Sequence, residues 1–172
     1  MKIGIVSDSH GSTGALDAML AHPAADGVSC WLFAGDIAGD AEYLSMVTRQ
    51  RVVRVAGNND WPSSSLQDVE IAEIGGHRIF LTHGHLFGVS FSTAALQEAA
   101  RAEGADLAVY GHTHVADCSP GEITVLNPGS IARPRDSARG SFLIVSLLPD
   151  QQPECRLIRL SKAKISAFSG GR

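Results

Sequence analysis

Five short apolar runs in this chain end alike, in a polar cluster built from Asp, His or Asn, and that repetition constrains the fold more than any other feature. Ile3-Gly4-Ile5-Val6 runs into Asp8 and His10, Trp31-Leu32-Phe33-Ala34 into Gly35-Asp36, and Val52-Val53-Arg54-Val55 into Gly57-Asn58. Ile79-Phe80-Leu81 runs into His83, and Leu107-Ala108-Val109-Tyr110 into Gly111-His112-Thr113-His114. Runs this short and this rich in branched residues read as buried strands. Between the first three lie segments with apolar residues at helical spacing. One carries Ala15, Leu16, Met19 and Leu20 and can be capped by Ser12 or Thr13; the other, with Leu44 and Val47 inward, is expected from a capping Asp40 to about Arg49. A β-α-β-α-β order calls for right-handed crossovers and a parallel sheet.

The later chain reads differently. Val69 to Ile74 alternates, Gly75-Gly76 can turn, and Arg78 to Leu81 returns, which is a hairpin signal. A third helix fits Ser92 to Glu103, with Leu96, Ala99 and Ala100 on one face. Val115 to Cys118 and Glu122 to Leu126 flank Pro120-Gly121 as a second hairpin, and Phe142 to Leu148 and Arg156 to Leu160 are the last strands. The simplest solution is two sheets with helices outside. A chain of 172 residues is one domain's worth; we expect a single domain over residues 1–160 and a frayed tail over 161–172.

Ligands of open α/β sheets bind beyond the strands' C-terminal ends. If the five runs lie in register, Asp8, His10, Asp36, Asn58, His83, His112 and His114 meet at one edge. Glycines before Asp36, Asn58 and His112 allow the backbone a sharp turn. Carboxylates, imidazoles and one amide, with no thiolate, suit Mn, Fe, Zn, Co or Ni. Seven groups are too many for one tetrahedral ion, whereas two ions sharing a carboxylate, about 3.5–4 Å apart, would use them all. Cys30, Cys118 and Cys155, odd in number and widely spread, read as reduced packing residues.

Composition narrows the partners. Fourteen Lys and Arg against eighteen Asp and Glu give a net charge of −4, which disfavours a protein that lives on extended duplex nucleic acid. No apolar stretch approaches the roughly 20 residues of a membrane span. The opening Met1 to Asp8 turns acidic too soon for a signal peptide, so a cytoplasmic location is expected. A His-x-His motif also occurs in metallo-β-lactamase-like hydrolases, but those expect Asp and His immediately downstream, where this chain has Val115-Ala116-Asp117-Cys118. Amidohydrolases place it near the first strand, and here it lies late. His22 and His77 read as ordinary loop residues.

The ordered set Asp8-Ser9-His10, Gly35-Asp36, Gly57-Asn58-Asn59-Asp60, Thr82-His83-Gly84 and Gly111-His112-Thr113-His114 resembles the calcineurin-like metallophosphoesterase family. Thr82-His83-Gly84-His85, Asn127-Pro128-Gly129-Ser130 and the small size resemble its compact YfcE-like phosphodiesterase branch, over residues 1 to about 148. The resemblance implies an α/β fold, a four-layer α-β-β-α sandwich of two mixed β-sheets with flanking helices. It also implies two divalent ions, Mn first among Mn, Fe, Zn, Ni and Co. One ion would rest on Asp8, His10, Asp36 and His114, the other on Asp36, Asn58, His83 and His112, with Asp36 bridging. The implied reaction is phosphodiester hydrolysis by a metal-activated hydroxide. A phosphomonoesterase or nucleotide phosphatase is the alternative on the same site, and a protein-binding scaffold the alternative on the same fold.

The chain departs from the wider family at Asn59, where many members carry a His thought to assist the leaving group. An amide can hydrogen-bond a phosphate oxygen but cannot act as a general acid near neutral pH. His85 is the candidate substitute acid, Asp60 a candidate for orienting its neighbours, and Arg133 and Arg135 candidates for clamping a phosphate or a second substrate charge. The expected partner is a small phosphoester, a homo-oligomer is allowed, and specificity is expected in the loops at 62–67, 86–91 and 133–139.

Overall fold

The computed structural model describes residues 1–60 and 65–161. Its strands are β1 (Lys2–Val6), β2 (Cys30–Phe33), β3 (Arg51–Arg54), β4 (Val69–Ile74), β5 (His77–Thr82), β6 (Leu107–Val109), β7 (Ala116–Ser119), β8 (Thr124–Pro128), β9 (Ser141–Ser146) and β10 (Glu154–Arg159). Its α-helices are α1 (Thr13–Leu20), α2 (Ala38–Thr48) and α3 (Ala94–Ala102). None of them is long and apolar enough to cross a membrane.

The strands form two five-stranded mixed sheets, ordered β10-β9-β1-β2-β3 and β4-β5-β6-β8-β7. In the first, β1, β2 and β3 run parallel and β9 and β10 antiparallel. In the second, β5, β6 and β8 are parallel, and β4 and β7 pair antiparallel at its edges.

Alternation along the strands sorts the layers. Ile3, Ile5, Cys30, Leu32, Leu143 and Val145 of the first sheet meet Ile79, Leu81, Leu107, Val109 and Leu126 of the second. The other face of the first sheet presents Val6, Trp31, Phe33, Phe142 and Ile144 to Leu16 and Met19 of α1 and Ala41 and Leu44 of α2. The other face of the second presents Phe80, Ala108 and Val125 to Leu96 and Ala100 of α3. The result is helix, sheet, sheet, helix. Each large side chain buried this way contributes about 1.5–3 kcal/mol.

Four local expectations change. Val47, expected inward on α2, is exposed, while Leu44 is buried. Asp40 does not cap α2: Ile37 holds that position, and Asp40 lies buried in the first turn. Ser12 precedes α1 but makes no side-chain cap bond. His77 is the buried first residue of β5, with both ring nitrogens engaged, Nδ1 at 2.5 Å from Asp106 and Nε2 at 2.9 Å from the Leu148 carbonyl. The frayed-tail expectation, apart from Ser161, and residues 62–64 of the expected specificity loop lie outside the described residues.

Candidate metal centre

β1, β2, β3, β5 and β6 all point their C-terminal ends at one rim, and the loops that leave them carry the seven polar residues. Five of the seven have a positive φ: Asp8 (54°), His10 (48°), Asp36 (107°), His112 (67°) and His114 (59°). Such backbone is uncommon for residues with a side chain and persists where surrounding structure imposes it. Two glycines make the crowding tolerable. A Cβ on Gly111 would strike the Ser7 hydroxyl, and one on Gly57 would strike the Asp36 backbone.

A cleft of about 470 Å³ opens at this rim, lined by six of the seven together with Asn59, Arg133 and Arg135. The seventh, His83, is fully buried. It still reaches the others: Nε2 lies 3.0 Å from Asn58 Oδ1, 3.9 Å from Asp36 Oδ1 and 4.0 Å from Asp8 Oδ1. His112 Nδ1 is 3.0 Å from the same Asn58 oxygen. Across the cleft His10 Nδ1 is 2.8 Å from Asp36 Oδ2, while His10 Nε2 faces His114 Nε2 at 3.1 Å. His114 Nε2 is 3.2 Å from Asp8 Oδ1.

With neutral rings these contacts do not all close as hydrogen bonds. The Nδ1–H of His83 donates to the Ala34 carbonyl at 2.7 Å, and that of His114 to the Arg133 carbonyl at 2.7 Å. The neutral His83 ring therefore turns a lone pair on Nε2 toward acceptor oxygens, and so does His114 once it gives up the proton that Asp8 favours. Asp8 Oδ1 and Asp36 Oδ2 are buried and make no hydrogen bond. An unsatisfied buried acceptor costs about 1–3 kcal/mol, and more when charged. A cation among these groups removes the conflict. Spacings of 3.0–3.2 Å among Asn58, His83 and His112 and among Asp8, His10 and His114 suit neighbouring ligands of one ion. Bonds of about 2.0–2.2 Å place such ligands roughly 3 Å apart. Asp8, His10 and His114 form one group able to hold a metal, and Asp8, Asp36 and His83 another.

The electrostatics agree. Burial pushes Asp8 up, but His114, His83 and Ser7 outweigh it and hold the carboxyl below its ordinary range. Burial lowers His10, partly offset by Asp36, and lowers His112 with help from His83. Both are thus kept in the neutral form that a metal needs. His114 is raised, chiefly by its contact with Asp8.

The roles of several supporting residues lie beyond the sequence reading. Asp40 Oδ2 accepts from the Ser9 hydroxyl at 2.5 Å and from Gly11 N at 2.8 Å, fixing the loop that carries His10. Buried Asn127 donates to the Gly111 carbonyl at 3.1 Å and to the Thr113 hydroxyl at 3.0 Å. Ser130 donates to the Asp8 carbonyl at 2.7 Å and accepts from Arg133 N at 2.6 Å. The Asn-Pro-Gly-Ser motif is thus a brace between the Asp8 and His112 loops.

The remaining candidates are sorted by position. Asn59 donates to Asp36 Oδ1 at 2.6 Å. Asp60 accepts from Gly57 N and Ala38 N, tying the Asn58 loop to the start of α2 without lining the cleft. His85 stands behind the ligands, its ring centroid 5.5 Å from that of His83, and is lowered by burial and by His83.

Comparison with known proteins completes the picture. The probable metallophosphoesterase YsnB of Bacillus subtilis is 30% identical over 152 residues, covering 87% of this chain and 86% of the relative. The phosphodiesterase YfcE of Escherichia coli is 32% identical over 167 residues, covering 83% and 85%. The solved structure of E. coli YfcE superposes with a TM-score of 0.66 at 28% identity, covering 94% of this chain and all of that one (100%). Vps29 of Entamoeba histolytica, solved with Zn²⁺, superposes with a TM-score of 0.71 at 23% identity, covering 94% and 100%, a likeness of fold. The calcineurin-like phosphoesterase superfamily domain matches residues 1–149, the stretch that holds both sheets except β10 and every residue of the rim. On this match, and on the two curated relatives, the chain belongs to the calcineurin-like phosphoesterase superfamily.

Proposed function

We propose that this chain is a phosphodiesterase that works with two divalent ions, Mn first among them, at the rim where buried carboxylate oxygens face imidazole lone pairs. The single observation that carries the reading is the pair of unsatisfied oxygens, Asp8 Oδ1 and Asp36 Oδ2. One ion would sit on Asp8, His10, Asp36 and His114, the other on Asp36, Asn58, His83 and His112. Both carboxylates approach both groups, but Asp8 Oδ2 is already occupied by Ser7 and by His112 N. Asp36 turns Oδ2 to His10 and Oδ1, which also accepts from Asn59, to His83, so its two oxygens reach one group each, as a bridge would. Bound there, the ions would supply a water of lowered pKa and positive charge for an entering phosphate.

The chain's own residues do the rest. Arg133 and Arg135 stand on the cleft wall, with their backbone bonded to Ser130 and His114, where they can hold a phosphate oxygen or a second substrate charge. Asn59 offers an amide donor at the same wall. Neither supplies a proton, and His85, lowered by burial and His83, is neutral at pH 7 and a poor acid. A site without a general acid favours good leaving groups. Since such an acid is worth roughly 10²–10⁴-fold, aryl diesters should turn over about 10²-fold or more faster than alkyl diesters. Equal rates would overturn that part of the proposal.

The central test is metal analysis of the purified protein together with turnover of a chromogenic aryl phosphodiester, with Mn²⁺ and with EDTA. Stoichiometric metal and EDTA-sensitive turnover are expected. A protein that takes up no metal and turns over no ester would be a scaffold of this fold. The intact set of seven residues favours the enzyme, and faster turnover of monoesters than diesters would shift the reading to a phosphatase.

A further inference from the structure

The two sheets stack with β3 against β4 and β8 against β9, so the edge strands β7 and β10 face one another at the far side. Pairing fixes which side chains point into the gap. Cys118 on β7 lies opposite Leu126, and Cys155 on β10 opposite Val145, and both partners belong to the core between the sheets. Each edge strand therefore places one thiol on its inner face. Cys155 packs against the core between the sheets, and the two thiols are near enough to influence one another's ionisation. One end of this edge is already tied by Asp136, which accepts from Ala116 N at 2.8 Å and takes both guanidinium nitrogens of Arg159 at 3.0 and 2.7 Å. Cys30, by contrast, is buried on β2, an interior strand of the first sheet.

We propose that Cys118 and Cys155 are a modification site, a thiol pair that closes on oxidation into a disulfide stapling β7 to β10. Cys118 is exposed and Cys155 half-buried, so the chemistry begins at Cys118. Burial, and then Cys118 itself, push the Cys155 thiol well up, which leaves the first attack to Cys118. With a small disulfide such as oxidised glutathione as oxidant, the Cys118 thiolate attacks one sulfur and expels one glutathione thiolate. The Cys155 sulfur, losing its proton, then attacks Cys118 in this mixed disulfide and expels the second. The two thiol protons pass to the two glutathione thiolates, and two electrons move from the protein to the oxidant. The bond closes a loop of about 40 residues, long enough to stabilise by restricting the unfolded chain. It also tethers the strand that follows His114.

The test is to equilibrate the holoprotein in glutathione buffers of increasing oxidised fraction and read intact mass, peptide maps and melting. Expected are a loss of about two mass units, a cross-linked peptide pair containing Cys118 and Cys155, and a melting midpoint raised by about 5 °C. All three should reverse with dithiothreitol and be absent in Cys118→Ser, whose reduced form should keep the starting protein's melting midpoint and ester turnover. A stable glutathione adduct on Cys118, a link to Cys30, or a link between two molecules would each overturn the proposal.

Discussion

Two buried histidines bracket β5. His77 opens the strand and His83 follows its end, and the two differ in what their second nitrogen meets. His77 has a partner on each nitrogen, Asp106 and the Leu148 carbonyl, and is complete as it stands. His83 spends Nδ1 on the Ala34 carbonyl and turns Nε2 to Asn58, Asp36 and Asp8, all acceptors. Burial is the same at both ends of the strand. What separates a structural histidine from a ligand is whether its neighbours finish the hydrogen bonding or leave it to a cation.

The sharpest way to break this contrast is to delete each ring. His83→Ala should lose metal and lower ester turnover by about 10³-fold or more. His77→Ala should cost about 1–3 kcal/mol of stability, from the lost bonds at a partly exposed Asp106, yet keep metal content and turnover per folded molecule. Metal analysis and thermal melts on both variants decide it, and loss of metal in His77→Ala would erase the distinction. Next in size is the stability that metal lends. At a hundredfold excess over Kd it amounts to about 2.7 kcal/mol, so EDTA should lower the melting midpoint by about 5–10 °C. That shift should survive in His77→Ala and shrink in His83→Ala, which keeps only the group of Asp8, His10 and His114 intact.

Smaller effects sharpen the picture. Asp40→Ala removes the acceptor for Ser9 and Gly11 and should weaken metal affinity by about 10–100-fold in a direct titration. An unchanged affinity would show that the His10 loop holds itself. Finally, His114 is raised in the metal-free protein by Asp8. Its contribution to metal-free stability is therefore fully present below about pH 6.5 and lost as pH rises through its higher folded value. Metal must displace that proton, so affinity should climb over the same window. Calorimetry in two buffers of different ionisation enthalpy should find about one proton released near pH 6. Uptake of metal with no proton release there would show His114 already neutral.

Much of this was legible in the chain. Each apolar run predicted as a strand is one, and the seven polar residues converge because the five runs they follow do end at one rim. What escaped depended on distant partners. Asp40 reads as a helix cap, since nothing local shows that Ser9 and Gly11 need it. His77 reads as a loop residue because Asp106 and Leu148 reach it only through the fold. Cys118 and Cys155 read as reduced packing residues, and they are free thiols; that they stand on facing edge strands needs the order of both sheets. Asn127 and Ser130 were visible as a motif, but their bracing of two loops requires β8 to lie beside β6.

The positive φ angles at Asp8, His10, Asp36, His112 and His114 bear on how such a site is lost. At each of these positions glycine relieves the backbone, by about 1 kcal/mol or more where the strain is greatest. A change to glycine that deletes a ligand can thus relieve the metal-free backbone. Selection for folding alone pulls these positions away from chemistry. A lineage released from hydrolysis would drift toward a sturdy, inert sandwich, while one that keeps all five is held there by the reaction.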